Sequence, residues 1–155
     1  MTDGPHALSR RGVLVRGLGC ASVLATVSYA RAEAEAEDEA VAMVAHLTGA
    51  VPTPSARVHL IMPKSFPNGY TVPLALAVDS PMTATDYVAS IRVLAPKNPL
   101  IEVATFHFVA ARSQPRVATR IRLAKPQFVV AVAAMGDGAL LMAKTWVDVA
   151  TDGCK

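Results

Sequence analysis

Cys154 stands five residues past a strand-like run, residues 146–149, in the sequence Thr151-Asp152-Gly153-Cys154-Lys155. A buried structural cysteine needs packing on all sides, which a segment at the end of a domain rarely supplies. A thiol on a short tether can instead ionise to a thiolate, the form that forms and breaks bonds to sulfur. These residue types therefore predict a reactive handle that holds another group covalently.

The first 32 residues have the pattern of an export leader. Ser9, Arg10 and Arg11 precede an apolar pair, as in twin-arginine signals, and residues 30–32 form an A-x-A cleavage site. The apolar stretch between them is interrupted by Arg16 and is shorter than the roughly 20 residues that a membrane-spanning helix needs. We expect cleavage after Ala32 and a periplasmic location.

The chain has two cysteines, and the other one, Cys20, lies in this leader. Gly19-Cys20 is similar to the end of a lipoprotein box, but Gly17 stands where that motif has a leucine-like residue. Removal of the leader would leave Cys154 unpaired in an oxidising compartment. From the residues alone, three roles stay open for Cys154: a carrier of a covalent group, an intermolecular disulfide, or an incidental thiol.

The charge balance argues against nucleic-acid binding. The whole chain has a formal net charge of +3, with 15 basic and 12 acidic residues. Four basic residues but one acidic residue lie in positions 1–32, so the remainder has equal numbers of each sign. The basic character belongs to the leader, and the predicted mature protein has no electrostatic preference for a polyanion.

An acidic, alanine-rich run at positions 33–39 leads into a short predicted helix, residues 38–48, within a helix-and-linker segment 33–55. Val41, Val44 and Leu47 recur at helical spacing, the carboxylates complement the amino end of the helix dipole, and Gly49 permits a left-handed stop.

A β-sandwich domain is predicted over residues 56–149, followed by a carrier arm over residues 150–155. Proline- and glycine-containing turns separate its β-type runs. Arg120 and Arg122 alternate with apolar residues, as in a strand with one buried face. Pro73 favours an edge position for its strand. The fold class is therefore all-β, a seven-stranded immunoglobulin-like antiparallel sandwich. Its predicted strands are residues 57–62, 70–78, 87–95, 103–109, 117–123, 128–134 and 140–149.

With these features the chain resembles the SoxY family, the sulfur-carrier subunits of the bacterial thiosulfate-oxidising system. The order and spacing of several short segments, ending in Gly153-Cys154, carry the resemblance. The family's familiar tail reads Gly-Gly-Cys-Gly-Gly, whereas here Asp152 replaces a glycine and Lys155 replaces the closing pair. The other matching segments are residues 72–74, 78–82, 97–99, 105–108 and 119–124.

The resemblance implies a covalent carrier and not a catalyst. Cys154 would hold thiosulfate-derived intermediates on an arm that includes Asp152 and Gly153, without a cofactor. A SoxZ-like subunit would form a heterodimer with the chain, and cytochrome, hydrolase and dehydrogenase partners of the Sox system would dock transiently. A binding module that uses Cys154 for an intermolecular disulfide, and a thiol enzyme such as a single-cysteine peroxidase, are the alternatives.

Other candidate residues favour simpler interpretations. His107 lies between two phenylalanines and in a strand would face away from both, which favours a surface or partly buried histidine over a metal ligand. His46 and His59 have no Cys or carboxylate at zinc-ligand spacing, and only Lys155 follows Cys154, which rules out a blue-copper loop. A basic cluster is interpreted as a solvated sheet face or, alternatively, as a docking surface. It consists of Arg112, Arg116, Arg120, Arg122 and Lys125.

Overall fold

The computed structural model describes the backbone of residues 20–150 and the side chains of residues 34–150. The twin-arginine motif and the predicted arm residues Asp152, Gly153 and Cys154 lie outside the described residues. The chain divides into two compact units, Met1–Glu35 and Ala36–Lys155. The second unit contains every strand of the described part.

Helix α1, Cys20–Thr48, contains the predicted helix but begins much earlier in the chain. The stretch is rich in alanine and has no glycine or proline, so nothing interrupts helical propensity. The acidic run consequently lies inside the helix and not at its amino end, contrary to the prediction. Gly49 does end the helix: its φ is 76°, and its N–H donates to the Ala45 carbonyl at 3.0 Å. No helix in the described part is long and apolar enough to span a membrane.

Within residues 20–150, nine strands form two sheets. The larger sheet has the order β1-β9-β8-β5-β6, with β3 also paired to β9, and the smaller sheet has the order β2-β4-β7. The strands are β1 Thr53–Pro54, β2 Val58–Ile61, β3 Ser65–Phe66, β4 Val72–Val78, β5 Val88–Leu94, β6 Glu102–His107, β7 Arg116–Ile121, β8 Gln127–Met135 and β9 Leu140–Val149.

The sandwich prediction is confirmed. Each of the seven predicted runs overlaps one strand, and these seven strands pair with one another only antiparallel. The sequence missed β1 and β3, which pair parallel with the beginning and the end of β9. Each has only two residues beside prolines, too few to show an alternating pattern.

The edge position expected for the strand containing Pro73 is wrong, because β4 is the central strand of the smaller sheet. The last residue pair between β2 and β4 is Ile61 with Ala75. Pro73 lies beyond it and has only β7 beside it, paired with Arg120. The strand is therefore central over most of its length but locally an edge at its proline, where a missing N–H is tolerated.

The core lies between the sheets, and a second apolar cluster lies on the outer face of the larger sheet. Leu74, Ile91, Val93, Val129 and Val147 are among the buried residues that fill the sandwich. On the outer face, helix residues bury their side chains against β5, β8 and β9, and Glu37 forms an ion pair with Lys144. This second cluster consists of Ala40, Val44, Leu94, Val130, Val132 and Met142.

Candidate functional site

The end of β9 is the point from which the predicted carrier arm leaves the sandwich. Asp148 and Val149 pair with Ser65 and Phe66 of β3, and the Asp148 N–H donates to the Lys64 carbonyl at 2.8 Å. Val149 is buried in the core, whereas the next residue, Ala150, is exposed. We call residues 148–149 and residues 64–66 the arm root. Its pairing fixes the last strand up to Val149, the residue immediately before the predicted arm.

Gly69 packs against the arm root and has no room for a side chain. A Cβ atom built on Gly69 would overlap the Leu123 carbonyl oxygen and would also contact Cγ2 of Val149. The Leu123 N–H in turn donates to the Gly69 carbonyl at 2.7 Å. The close approach of these two backbones therefore explains why glycine stands at position 69.

A buried amide links the loop between β5 and β6 to the loop between β7 and β8. Gln127, at the start of β8, is 1% exposed. Its Oε1 accepts from the Lys97 N–H at 2.7 Å, and its Nε2 donates to Asn98 Oδ1 at 3.0 Å and to the Lys125 carbonyl at 3.1 Å. Asn98 also donates to the Arg122 carbonyl and accepts from the Ala124 N–H, both at 2.8 Å. Every polar atom of the Gln127 side chain is thus satisfied.

Gln127→Leu is expected to lower the free energy of unfolding by about 1–3 kcal/mol, because it leaves the Lys97 N–H and Asn98 without their buried partner. Gln114→Leu is the matched control, since Gln114 is exposed and its side chain makes no hydrogen bond described in the structure. Urea unfolding monitored by circular dichroism measures both. Equal stability of the two variants would mean that the amide network does not hold the loops together.

Aromatic and cationic side chains lie close to the arm root. Trp146 packs edge-to-face on Phe128, with ring centroids 5.1 Å apart, and Lys97 Nζ lies 5.6 Å from the Trp146 centroid. The Arg122 guanidinium lies 4.9 Å from the Tyr70 centroid. Tyr70 and Arg122 are chain neighbours of Gly69 and Leu123, so this cation–π pair lies beside the base of the arm.

The structure spreads the predicted basic cluster along one edge of the sandwich and does not gather it into one patch. Arg116 and Arg120 lie on the outer face of β7, Arg122 stacks on Tyr70, and Arg112 and Lys125 lie in the loops at opposite ends of β7. Arg120 and Arg122 are exposed and alternate with buried Ile121, as the sequence predicted.

The histidines are placed as simple surface residues. His107 is exposed while its neighbours Phe106 and Phe108 pack on the core. His59 Nε2 lies 2.8 Å from Asp79 Oδ2, at an exposed position, and His46 is exposed near the end of α1. Within residues 34–150, where side chains are described, no three His, Cys, Asp or Glu residues are grouped as metal ligands.

Comparison with known families gives one match, which extends over most of the chain. The family model of the sulfur oxidation protein SoxY matches residues 29–154, so the matched region ends at Cys154. No curated protein sequence matches.

Solved structures agree with this match. The sulfur carrier protein SoxY from Chlorobium limicola f thiosulfatophilum is 30% identical, with a TM-score of 0.57, over 76% of this chain and 98% of that chain. A superoxide reductase (neelaredoxin) from Ignicoccus hospitalis is 16% identical, with a TM-score of 0.53, over 60% of this chain and 82% of that chain. At such low identity the second likeness shows the fold alone.

Proposed function

The chain belongs to the SoxY family of sulfur oxidation proteins, and we propose that it carries thiosulfate-derived sulfur on Cys154. The observation that carries this proposal is the extent of the family match, which includes the tail and ends at that cysteine. The covalent attachment residue is Cys154, and Asp152 and Gly153 belong to the arm that presents it.

The arm root supports this function because it separates a fixed part of the chain from the segment with the thiol. Val149 is buried and hydrogen-bonded β-structure continues up to it. The five residues from Ala150 to Cys154 reach roughly 17 Å when extended, at about 3.3–3.6 Å per residue. A thiol at that distance can enter the cleft of another protein without any movement of the sandwich.

The proposed chemistry uses the thiol as an attachment point. Oxidative coupling joins the Cys154 thiolate to the outer sulfur of thiosulfate, and two electrons pass to a cytochrome partner. Water then releases sulfate and leaves a persulfide on the cysteine. A dehydrogenase partner then accepts six electrons from the outer sulfur while three water molecules supply its oxygen atoms, which converts it to an S-sulfonate on the cysteine. A second hydrolysis releases this group as sulfate and restores the thiol. Separate enzymes perform each step, so the chain acts as a covalent substrate carrier and needs no cofactor of its own.

The proposed location is the periplasm, after export by the twin-arginine route and cleavage behind Ala32. Cleavage there would place the acidic run at the amino end of the remaining helix, where its carboxylates would complement the helix dipole. A SoxZ-like subunit is the proposed permanent partner. Export of folded proteins would let a partner without its own leader cross the membrane already bound.

Maleimide labelling tests the carrier proposal. Cys154 of the purified protein is expected to react fully, because the proposed arm would present its thiol to solvent. In protein taken from thiosulfate-fed cells under acidic quenching, the forms that end in a sulfonate should be protected because they have no thiol, and dithiothreitol should restore their labelling because each cargo is held through a sulfur–sulfur bond. Protection that coincides with a covalently linked dimer on a non-reducing gel would favour the intermolecular disulfide instead. Full labelling in fed cells by a maleimide that dithiothreitol does not release afterwards would contradict the proposal, because it would show a bare thiol and no persulfide.

A further inference from the structure

The smaller sheet has an outer face that no described element covers. Residue pairing places two rows side by side across β2, β4 and β7: Ile61, Ala75 and Ala118 in one, and His59, Ala77 and Arg116 in the next. Pro73 and Arg120 form the third row. Ile61, the last residue of the edge strand β2, is 66% exposed, and it lies beside the apolar side chains of Ala75 and Ala118 in the same row. We call these eight residues the bare face.

The opposite side of the sandwich shows how such a face is normally covered. On the outer face of the larger sheet, Ala40 and Val44 of α1 are 3% and 0% exposed against the apolar residues of the strands. Among the described residues of the second unit, no helix covers the bare face, although all of its β2 and β4 positions except His59 are apolar. An open depression of about 450 Å³ lies on it, lined by Ile61, Met62 and Pro73 among others.

The bare face has two cationic residues and no acidic one. Arg116 and Arg120 are exposed on β7, four residues or about 13 Å apart, and neither has an ion pair with a described residue. None of the eight residues is acidic, and the nearby carboxylate of Asp79 is engaged by His59. The face therefore combines an apolar strip of Ile61, Pro73, Ala75 and Ala77, which ends at His59, with two cations along β7.

A second copy of the chain fits this arrangement poorly. Packing two bare faces together would place arginines opposite arginines or opposite the apolar strip, because the face supplies no carboxylate to either copy. A partner with an apolar strip bordered by Asp or Glu would bury Ile61 and Pro73 and pair both guanidinium groups. The charge pattern thus favours a different protein as the occupant.

We propose that the bare face is the docking surface for the permanent partner subunit, through an apolar strip and an acidic row on that partner. This inference rests on the proposed function, which supplies the SoxZ-like subunit as the partner. The bare face lies on the sheet that does not contain β9, so docking there would leave the last strand of the chain free of direct partner pairing.

The test coexpresses the full chain with the SoxZ-like subunit of the same organism and measures the dissociation constant of the purified complex. Ile61→Asp is expected to weaken binding by about thirtyfold or more, because it would place a carboxylate where the largest apolar side chain of the bare face would be buried. Arg120→Glu is expected to weaken binding by about tenfold, with an effect that shrinks in high salt. Leu100→Asp and Lys125→Glu are the controls, because both residues are exposed but lie in loops off the bare face.

Equal binding by Ile61→Asp and Leu100→Asp would overturn the assignment of this surface. A dimer of the chain alone that Ile61→Asp dissociates would also overturn it, in favour of a second copy. Maleimide labelling of Cys154 in the same samples separates this inference from the proposed function. If the bare-face substitutions leave the complex intact and sulfur loading of Cys154 persists, the proposed docking surface is rejected and the proposed carrier function is retained. Absence of any wild-type complex would reject the proposed partner and with it the surface.

Discussion

Cys154→Ser is expected to reduce thiosulfate-dependent turnover in a mixture with the partner enzymes to the level of a sample that lacks this protein. A serine hydroxyl does not ionise near neutral pH and forms no stable bond to sulfur, so no intermediate can be attached. Stability should change by less than about 0.5 kcal/mol, since the residue lies beyond the buried end of β9. Sulfate release and cytochrome reduction measure the turnover, and thermal unfolding measures the stability.

Cys20→Ser is the matched control, because it removes the other cysteine of the chain. With the leader cleaved as proposed, this variant should be indistinguishable from the wild type once exported. Substantial turnover by Cys154→Ser would mean that sulfur is held elsewhere. Loss of folding in that variant would mean that the thiol is part of the packed domain and not of an arm.

Gly69→Ala is expected to destabilise the domain by more than about 3 kcal/mol and to lower its melting temperature by roughly 10 °C or more. The added methyl group would overlap the Leu123 carbonyl oxygen, a backbone atom that cannot rotate away as a side chain could. Relief requires separation of two backbone segments that are hydrogen-bonded through Leu123 N and Gly69 O. The separation would also loosen Val149 in the arm root. Differential scanning calorimetry measures the change.

Gly49→Ala provides the comparison. Gly49 has a φ of 76° but no atom near the position of a Cβ, so alanine there meets only backbone strain. A loss of about 1 kcal/mol is expected from that strain. Similar losses in the two variants would show that the segment at Gly69 adapts to a side chain, and that the close backbone approach is unimportant for stability.

The alternation of apolar and polar residues predicted the seven long strands because both sheets bury one face against the common core. Val72, Leu74, Leu76 and Val78, for example, are all buried between the sheets. The same reasoning failed where pairing depends on residues distant in sequence. The two-residue strands are too short to show an alternating pattern of their own. Whether Pro73 has a strand on one side or on both depends on where β2 stops pairing with β4, which is before Pro73 is reached.

The hydrogen-bond network around Gln127 was largely beyond prediction for a similar reason. Gln127 is a lone amide at the start of an apolar strand, which is a signal of a buried polar contact. Its partners Lys97 and Asn98 lie about thirty positions earlier, and nothing local indicates that they meet. The proposed attachment residue, in contrast, followed from chemistry and resemblance, because a solitary cysteine beyond the last strand has few structural uses.

Intact-mass spectrometry of the protein purified from thiosulfate-grown cells tests the central claim most directly. The account predicts a form that starts at Glu33 and carries mass increments of thiosulfate, sulfane sulfur or sulfonate, all mapped to the peptide with Cys154 and all removed by dithiothreitol. A single unmodified mass from cells that are consuming thiosulfate, or increments mapped to another residue, would contradict it.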